Sequence, residues 1–324
     1  MTFDHDLKLR RALKHLNDLD AYVGTWIGQK HYRVRYEYEP DYRWDGPIPP
    51  GKVGVPPDTW RSYLAGSAFM PNQPKEPMTD EFGVGRYMAF VTAEQPPADP
   101  VSLLIGDTLH NLRSCLDVLA FALASAYTKP LTKEMANTSE FPIFGDEDGE
   151  GHGGMGSIRF HERTKSERPS ARSALAKISG WHPDAQAVVE GLQPYKRGKD
   201  FRSDPLWLVH DLDRISKHRL LHPALAAFAG TLWDVNKARN IRAWGPGFLD
   251  SYGGVLEPDT PIGGIVGVQR IDPNAKVEMP IAPALAVVFG PTASGANGKE
   301  ILPTLAELYN HLAAKVIPAL APYL

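Results

Sequence analysis

The sequence predicts an α+β fold in which a helical bundle carries short antiparallel strands. Apolar residues recur at helical spacing in four stretches, near residues 3–28, 100–126, 205–221 and 299–323. In YRVRYEYE at 32–39, apolar and charged residues alternate, as in a strand with one wet face. After residue 224, short β-type runs are separated by proline and glycine, which favours a small antiparallel sheet.

The N-terminal region is predicted to form an amphipathic helix and then two strands. The apolar face of helix 3–28 is formed by Leu9, Leu13, Leu16, Leu19, Val23, Trp26 and Ile27. RYMAFVTAE at 86–94 reads as a second strand that pairs with 32–39. The residues between them, 40–82, are rich in proline and glycine and predict a long irregular excursion.

Two central helices each begin at an Asp-Pro pair, Asp99-Pro100 and Asp204-Pro205. An N-cap aspartate accepts a backbone N–H, and proline at the first helical position loses no hydrogen bond there. We therefore expect Asp99 and Asp204 to cap helices 100–126 and 205–221.

The C-terminal region is predicted to contain strands at 263–271, 275–281 and 284–290 and then helix 299–323. The apolar stripe of this helix is formed by Ile301, Leu305, Leu308, Leu312, Val316 and Leu320. Pro318 is expected to kink or end it. We expect a single domain over 1–324. A subdivision would separate a helical part with the N-terminal hairpin, 1–222, from a small sheet with the C-terminal helix, 223–324.

The composition of the chain narrows the classes of protein to which it can belong. Across 324 residues the hydrophobic share is 43%, the charged share is 23% and the net charge is −3, so the chain as a whole does not attract nucleic acid or anionic membranes. The single cysteine, Cys115, excludes an intrachain disulfide. No apolar run is long enough to cross a bilayer, and the charged N-terminus is unlike a secretory signal. We expect a soluble cytoplasmic protein with no membrane partner.

Polar stripes lie beside the apolar faces of two helices. Helix 100–126 carries Asp107, His110, Arg113, Ser114 and Asp117, and helix 205–221 carries His210, Asp211, Arg214, Lys217 and His218. A half-buried polar group at the edge of an apolar face needs a partner, because burying it alone costs about 1–3 kcal/mol. Two such helices could build one polar site where they meet.

The candidate catalytic residues at this seam are His110, Arg113, Asp117, Asp211, Lys217 and His218. In a catalytic interpretation, His110 or His218 transfers protons, Arg113 and Lys217 contact an anion, and Asp117 or Asp211 orients a histidine. In a structural interpretation, the same side chains only hold the helices together. The spacing of His and Asp matches no tight ligand motif such as HExxH, so neither a metal nor a cofactor is predicted.

The motif on helix 100–126 resembles that of a group of uncharacterised bacterial proteins, which carry a GD-x-x-HNLRSALDHL helix and a later DKHR segment. The matching pieces are Gly106-Asp107, His110 to Ser114, Leu116-Asp117 and Lys217 to Arg219. VVFG at 287–290 and the terminal helix extend the resemblance over most of the chain. The group carries no established activity to transfer.

The same helix also resembles the signature of HEPN ribonucleases and toxins, which cleave RNA without a metal. That signature places an Arg and, four to six residues later, a His on a bundle helix. Arg113 matches the Arg, but the positions for the His hold Val118, Leu119 and Ala120. The departure implies a non-catalytic version, or a site rebuilt with His218 from the second helix.

Three functional hypotheses remain open at this point. The first is a non-catalytic binding or assembly protein on a HEPN-like core, forming a homodimer through an apolar helix face. The second is a metal-independent hydrolase of ribonuclease type at the seam, with RNA held by a local basic patch such as 159–168. The third is a small-molecule enzyme with a pocket lined by Trp207, Trp233 or Trp244.

Overall fold

The structure is a computed structural model, and the residues it describes are 4–39, 85–145, 159–164, 173–219, 221, 223–233, 241–243, 247–249, 260–270, 281–293 and 295–324. Several predicted features lie outside these residues: the excursion at 40–82, the strand at 275–281 apart from Ile281, part of the basic run 159–168, and Trp244.

The predicted α+β class is confirmed. The helices are α1 (Asp4–Gly28), α2 (Ala98–Tyr127), α3 (Lys133–Thr138), α4 (Ala174–Lys177), α5 (Pro183–Gly191), α6 (Pro205–His218), α7 (Ile301–His311) and α8 (Ile317–Leu320). A 3-10 segment, Pro194–Ser203, precedes α6, and a second one, Ala321–Tyr323, follows α8. The strands are β1 (Tyr32–Glu39), β2 (Gly85–Ala93), β3 (Pro223–Trp233), β4 (Ile241–Ala243), β5 (Gly247–Leu249), β6 (Thr260–Arg270) and β7 (Ile281–Phe289).

The chain divides into two compact units, each built from separate stretches of sequence. The helical unit comprises Met1–Thr25, Pro97–Pro223 and Phe289–Leu324, and the sheet unit comprises Trp26–Pro96 and Ala224–Val288. The predicted subdivision at 222 instead grouped the hairpin with the helices and the C-terminal helix with the sheet. Whether the chain behaves as a single domain stays a prediction.

Helix α2 supplies much of the core of the helical unit. Its fully buried apolar residues recur every three or four positions, as on one face of a helix, and include Val101, Ile105, Leu109, Leu112, Leu116, Leu119 and Leu123. Helices α6 and α7 also pack against α2. Cys115 lies on the same buried face, where burial raises the pKa of its thiol to about 12. This environment is typical of an inert, packed cysteine.

The two Asp-Pro pairs differ in what they do. Asp204 is the N-cap of α6, where its Oδ1 accepts a hydrogen bond from the Leu206 N–H at 2.9 Å. The predicted cap at Asp99 is wrong, because α2 begins earlier: Pro97 is the N-cap residue and Asp99 lies within the first turn. There its exposed carboxylate lies near the positive end of the helix dipole.

The C-terminal helix keeps its predicted apolar stripe. Ile301, Leu305, Leu308, Leu312, Val316 and Leu320 are all fully buried. A π-helical turn, Leu312–Val316, joins α7 to α8 immediately before Pro318. Since proline has no N–H, a local change of hydrogen-bond pattern accommodates it without ending the helix.

The sheet unit contains antiparallel strands in the order β1-β2-β6-β4, with β5 also paired to β6, and a separate pair of β3 with β7. The expected pairing of the first two strands is confirmed, with Val34 opposite Val91 and Tyr36 opposite Ala89. Ala89 and Val91 are fully buried. The face of the hairpin that carries these two residues is therefore a buried one.

Candidate functional site

The polar stripes of α2 and α6 meet at a seam between antiparallel helices. The Ser102 hydroxyl donates to the Leu221 carbonyl at 2.9 Å near one end. Further along, His110 Nδ1 lies 3.8 Å from Asp213 Oδ1. Residue numbers thus rise on one helix as they fall on the other, which puts Arg113 opposite His210.

Arg113 is the buried centre of an ion-pair network at this seam, and the two carboxylates that pair with it are partly exposed. Only 5% of the residue is exposed. Its Nη2 donates to Glu140 Oε1 at 2.8 Å and to the Phe141 carbonyl at 3.0 Å, and lies 3.0 Å from Asp117 Oδ1. Nη1 is also buried and has no hydrogen-bond partner among the described residues. The guanidinium therefore ties α2 to the segment that follows α3.

Asp117, one turn beyond Arg113, holds the same segment through its backbone. Its Oδ1 accepts a hydrogen bond from the Phe141 N–H at 3.2 Å. Burial raises the pKa of Asp117, and this effect outweighs the opposing influence of Arg113 and the Phe141 N–H. The Asp117 carboxylate thus holds the Phe141 N–H, although burial disfavours its charged form.

Glu140 links Arg113 to a second cation. Its Oε2 lies 2.8 Å from Lys177 Nζ, at the end of α4. Burial acts to raise the pKa of Glu140, but Lys177 and Arg113 outweigh it and the net pKa is lowered. Glu140 and Lys177 were not among the sequence candidates, since neither lies on a predicted polar stripe.

His210 is the histidine that faces this network. It is half-buried, and its ring packs at a tilt against Trp207, with 5.7 Å between ring centroids. Burial and then the charge of Arg113 lower its pKa, against the opposing effect of Glu140 and Asp211. The sequence placed His210 on the stripe of α6 but His218 in the site. Pairing the two helices in antiparallel register would have selected His210.

Two ion pairs extend along α6. Asp211 is buried, with its Oδ1 2.5 Å from Nη2 of the exposed Arg214. Asp213 is also buried and pairs with Lys217 Nζ at 2.6 Å. The carboxylates of α6 therefore point inward, and the cations that pair with them reach outward.

The predicted histidines lie apart. His110 is exposed and contacts Ser114, with 3.4 Å between Nε2 and Oγ. His218 is exposed at the last position of α6 and, within the part of the chain that is described, makes no hydrogen bond or ion pair with the other candidates. Arg113 lies between the two histidines in sequence and, unlike them, is buried. The structure thus brings Arg113 to Asp117, and Lys217 close to His110 through Asp213, but leaves His218 outside.

In the network around Arg113, the positive charges of Arg113 and Lys177 equal in number the negative charges of Asp117 and Glu140. These side chains pair mainly with one another. Across the described residues, no group of three or more His, Cys, Asp and Glu side chains is placed to hold a metal ion. None of the helices that the structure describes is long and apolar enough to cross a membrane. No protein-family model, curated protein or solved structure matches the chain.

Proposed function

We propose that this chain is a non-catalytic binding or assembly protein, built on a HEPN-like helical core whose seam residues are structural ties. The observation that carries the proposal is the burial of the Arg113 guanidinium among Asp117, Glu140 and the Phe141 carbonyl. A group that stabilises a developing anion must be able to reach it. Here protein carboxylates already occupy the charged face of Arg113.

The matching of the other charges supports the same interpretation. Asp211 and Asp213 are buried and each has a cation within ion-pair distance. Burying a carboxylate without a partner is costly, so each cation offsets part of the desolvation of the aspartate that it pairs with. Such a network is expected where a protein uses charge to fix how its helices and connecting segments pack.

The test compares Arg113→Ala with His110→Ala, the exposed histidine one turn away. We expect Arg113→Ala to lower the free energy of unfolding by about 1–3 kcal/mol, because it removes the buried guanidinium that donates to the Phe141 carbonyl. His110→Ala should change it by less than about 0.5 kcal/mol. Chemical denaturation measures both, in parallel with cleavage of a mixed single-stranded RNA pool by the wild type and each variant.

Two outcomes would contradict the proposal. One is RNA cleavage by the wild type that Arg113→Lys abolishes while unfolding stays as in the wild type. The other is Arg113→Ala protein that is as stable as the wild type, which would exclude the role as a tie.

A second candidate function is a metal-independent hydrolase of ribonuclease type at the same seam. It is favoured by the opposite pKa shifts of two neighbours of Arg113, raised for Asp117 and lowered for His210. A carboxyl group whose pKa is raised and an imidazole whose pKa is lowered are residue types that serve in proton transfer. In this alternative His210 takes the role first assigned to His110 or His218.

The discriminating variant for this alternative is His210→Ala, assayed in the presence of EDTA. Loss of a general base typically costs roughly 100-fold or more in rate. A wild-type rate at background would exclude the hydrolase and leave the non-catalytic proposal in place. A measurable rate that is unchanged in the variant would exclude His210 as the general base.

A further inference from the structure

We propose that the helical unit contains a peptide-recognition groove whose resident ligand is the chain's own segment 140–145. The inference deepens the proposed binding role, on which it rests, by naming the class of peptide that the groove takes. The segment belongs to neither a helix nor a strand, yet four of its six residues are buried. Its buried backbone groups therefore need hydrogen-bond partners from other parts of the chain.

Two side chains of α2 hold both backbone groups of Phe141. Asp117 Oδ1 accepts a hydrogen bond from the Phe141 N–H at 3.2 Å, and Arg113 Nη2 donates one to the Phe141 carbonyl at 3.0 Å. In an antiparallel sheet, the residue opposite on the neighbouring strand makes the same two bonds. Arg113 and Asp117, one helical turn apart, thus take the place of a strand partner.

The side chain of Gln193 holds the next part of the segment in a similar way. Only 1% of Gln193 is exposed. Its Nε2 donates to the Pro142 carbonyl at 2.9 Å, and its Oε1 accepts from the Phe144 N–H at 3.0 Å. Nε2 also donates to the Val189 carbonyl at 3.0 Å, which fixes the orientation of the amide. The Tyr195 N–H then donates to the Phe144 carbonyl at 3.1 Å.

These five hydrogen bonds to the segment's backbone match the way in which proteins recognise peptides. When a peptide adds to the edge of a sheet, main-chain hydrogen bonds give affinity and side-chain pockets give specificity. In this groove, the side chains of Arg113, Asp117 and Gln193 supply four of the five bonds. Since Arg113 and Gln193 are themselves buried, the groups that read the backbone are held in place by the helical unit.

Side-chain pockets give the groove its sequence preference. Phe141 is fully buried, and its ring lies at a tilt to that of Trp181, with 6.2 Å between centroids. Pro142 has no N–H to satisfy and favours an extended backbone at Phe141. Phe144 is half-buried and meets the Phe160 ring edge to face, with 6.2 Å between centroids.

The two ends of the segment are specified as well. Glu140 lies between two cations, with 2.8 Å to Arg113 Nη2 and 2.8 Å to Lys177 Nζ. A Cβ at Gly145 would lie 2.5 Å from the Phe201 ring, so glycine is the residue that fits there. The groove therefore takes a peptide with the order acidic residue, aromatic residue, proline, aliphatic residue, aromatic residue, glycine.

Hydrogen exchange on the wild-type protein tests whether the segment behaves as a bound ligand. We expect the Phe141 and Phe144 amides to exchange through one shared local opening, with a weak dependence on denaturant, because the segment leaves the groove while the helices stay folded. The amides of Leu112 and Leu116, on the buried face of α2, should exchange more slowly by roughly tenfold or more after correction for intrinsic rates. Exchange of all four amides only through global unfolding would overturn the inference.

A peptide added in trans tests the groove itself. In protein carrying Phe141→Ala and Phe144→Ala the resident ligand is disabled, and a blocked peptide of residues 139–145, SEFPIFG, should bind and raise the melting temperature. The same peptide with Phe141→Ala is the matched control and should bind roughly tenfold or more weakly, because it leaves the site beside Trp181 unfilled. Adding Gln193→Met to the protein should also weaken binding roughly tenfold, because it removes the amide and keeps an unbranched side chain.

Calorimetric titration measures these affinities. The inference is overturned if the peptide neither binds nor stabilises the disabled variant, whether or not that variant is folded alone. It is also overturned if the control peptide binds as tightly as the native one, or if Gln193→Met leaves the affinity unchanged. None of these outcomes contradicts the non-catalytic proposal, which fails through the RNA cleavage and unfolding measurements on Arg113.

Discussion

Three histidines of the helical unit sit where burial disfavours their charge. Burial is the largest cause that lowers the pKa of His5, His210 and His311 from the ordinary value of 6.5. A group with a lowered pKa binds more protons in the unfolded state than in the folded state. Its contribution to stability is therefore present above the unfolded pKa and is lost as the pH falls through the folded value.

The pH prediction concerns His210→Gln. Wild-type protein should lose stability as the pH falls below 6.5, and the variant should lose less of it, because glutamine has no proton to take up. The measurement is the free energy of unfolding by urea from pH 5 upward. Above about pH 8 the two curves should run parallel, since the histidine is neutral in both states. Parallel curves over the whole range would contradict the assignment.

Gly145 and Gly106 give a matched pair of backbone tests. A Cβ at Gly145 would lie 2.5 Å from the Phe201 ring and 2.7 Å from the Trp207 ring, whereas one at Gly106 would meet Ser216 Cβ at an ordinary 3.8 Å. We expect Gly145→Ala to destabilise by about 1–3 kcal/mol through overpacking. Gly106→Ala, in the middle of α2, should stabilise by about 0.5–1 kcal/mol. Thermal melting of both variants checks the difference in sign.

At the scale of the helix, two identical dipeptides in different positions allow a test of capping. Asp204→Ala should cost about 1 kcal/mol, because Asp204 accepts the Leu206 N–H and also pairs with Arg197 at 2.7 Å. Asp99→Ala should cost only a few tenths of a kcal/mol, as its carboxylate lies inside the first turn. Equal losses in denaturation would show that Asp99 caps α2 after all.

The period of apolar residues was enough to find the four main helices and the face each one buries. It was not enough to find their ends. Helix α2 starts at Ala98 because Pro97 already provides the turn into the helix, and the local pattern at Asp99-Pro100 does not show this. The π turn before Pro318 was also not predicted. It accommodates a proline that lacks a backbone N–H, while the buried apolar stripe continues past it.

At the scale of the whole molecule, the candidate site could be predicted only in part. The stripes of α2 and α6 supplied Arg113, Asp117 and Asp211, since residues three or four apart share a helix face. Glu140 and Lys177 come from separate segments that tertiary packing brings to Arg113. Tertiary packing of distant stretches also produces the two units, whose segments alternate along the sequence. Sequence periodicity describes neighbours along the chain and does not describe which distant stretches pack together.

The interleaving of the two units bears on how the chain can fold as it is synthesised. The buried stripe of α7 and α8 completes the helical unit, yet it follows the whole of the sheet unit in sequence. A ribosome adds roughly 5–20 residues per second, so α2 and α6 emerge many seconds before residues 301–320 do. During that interval the part of α2 that packs against α7 is uncovered. Chaperones can therefore bind the nascent chain until α7 and α8 leave the exit tunnel.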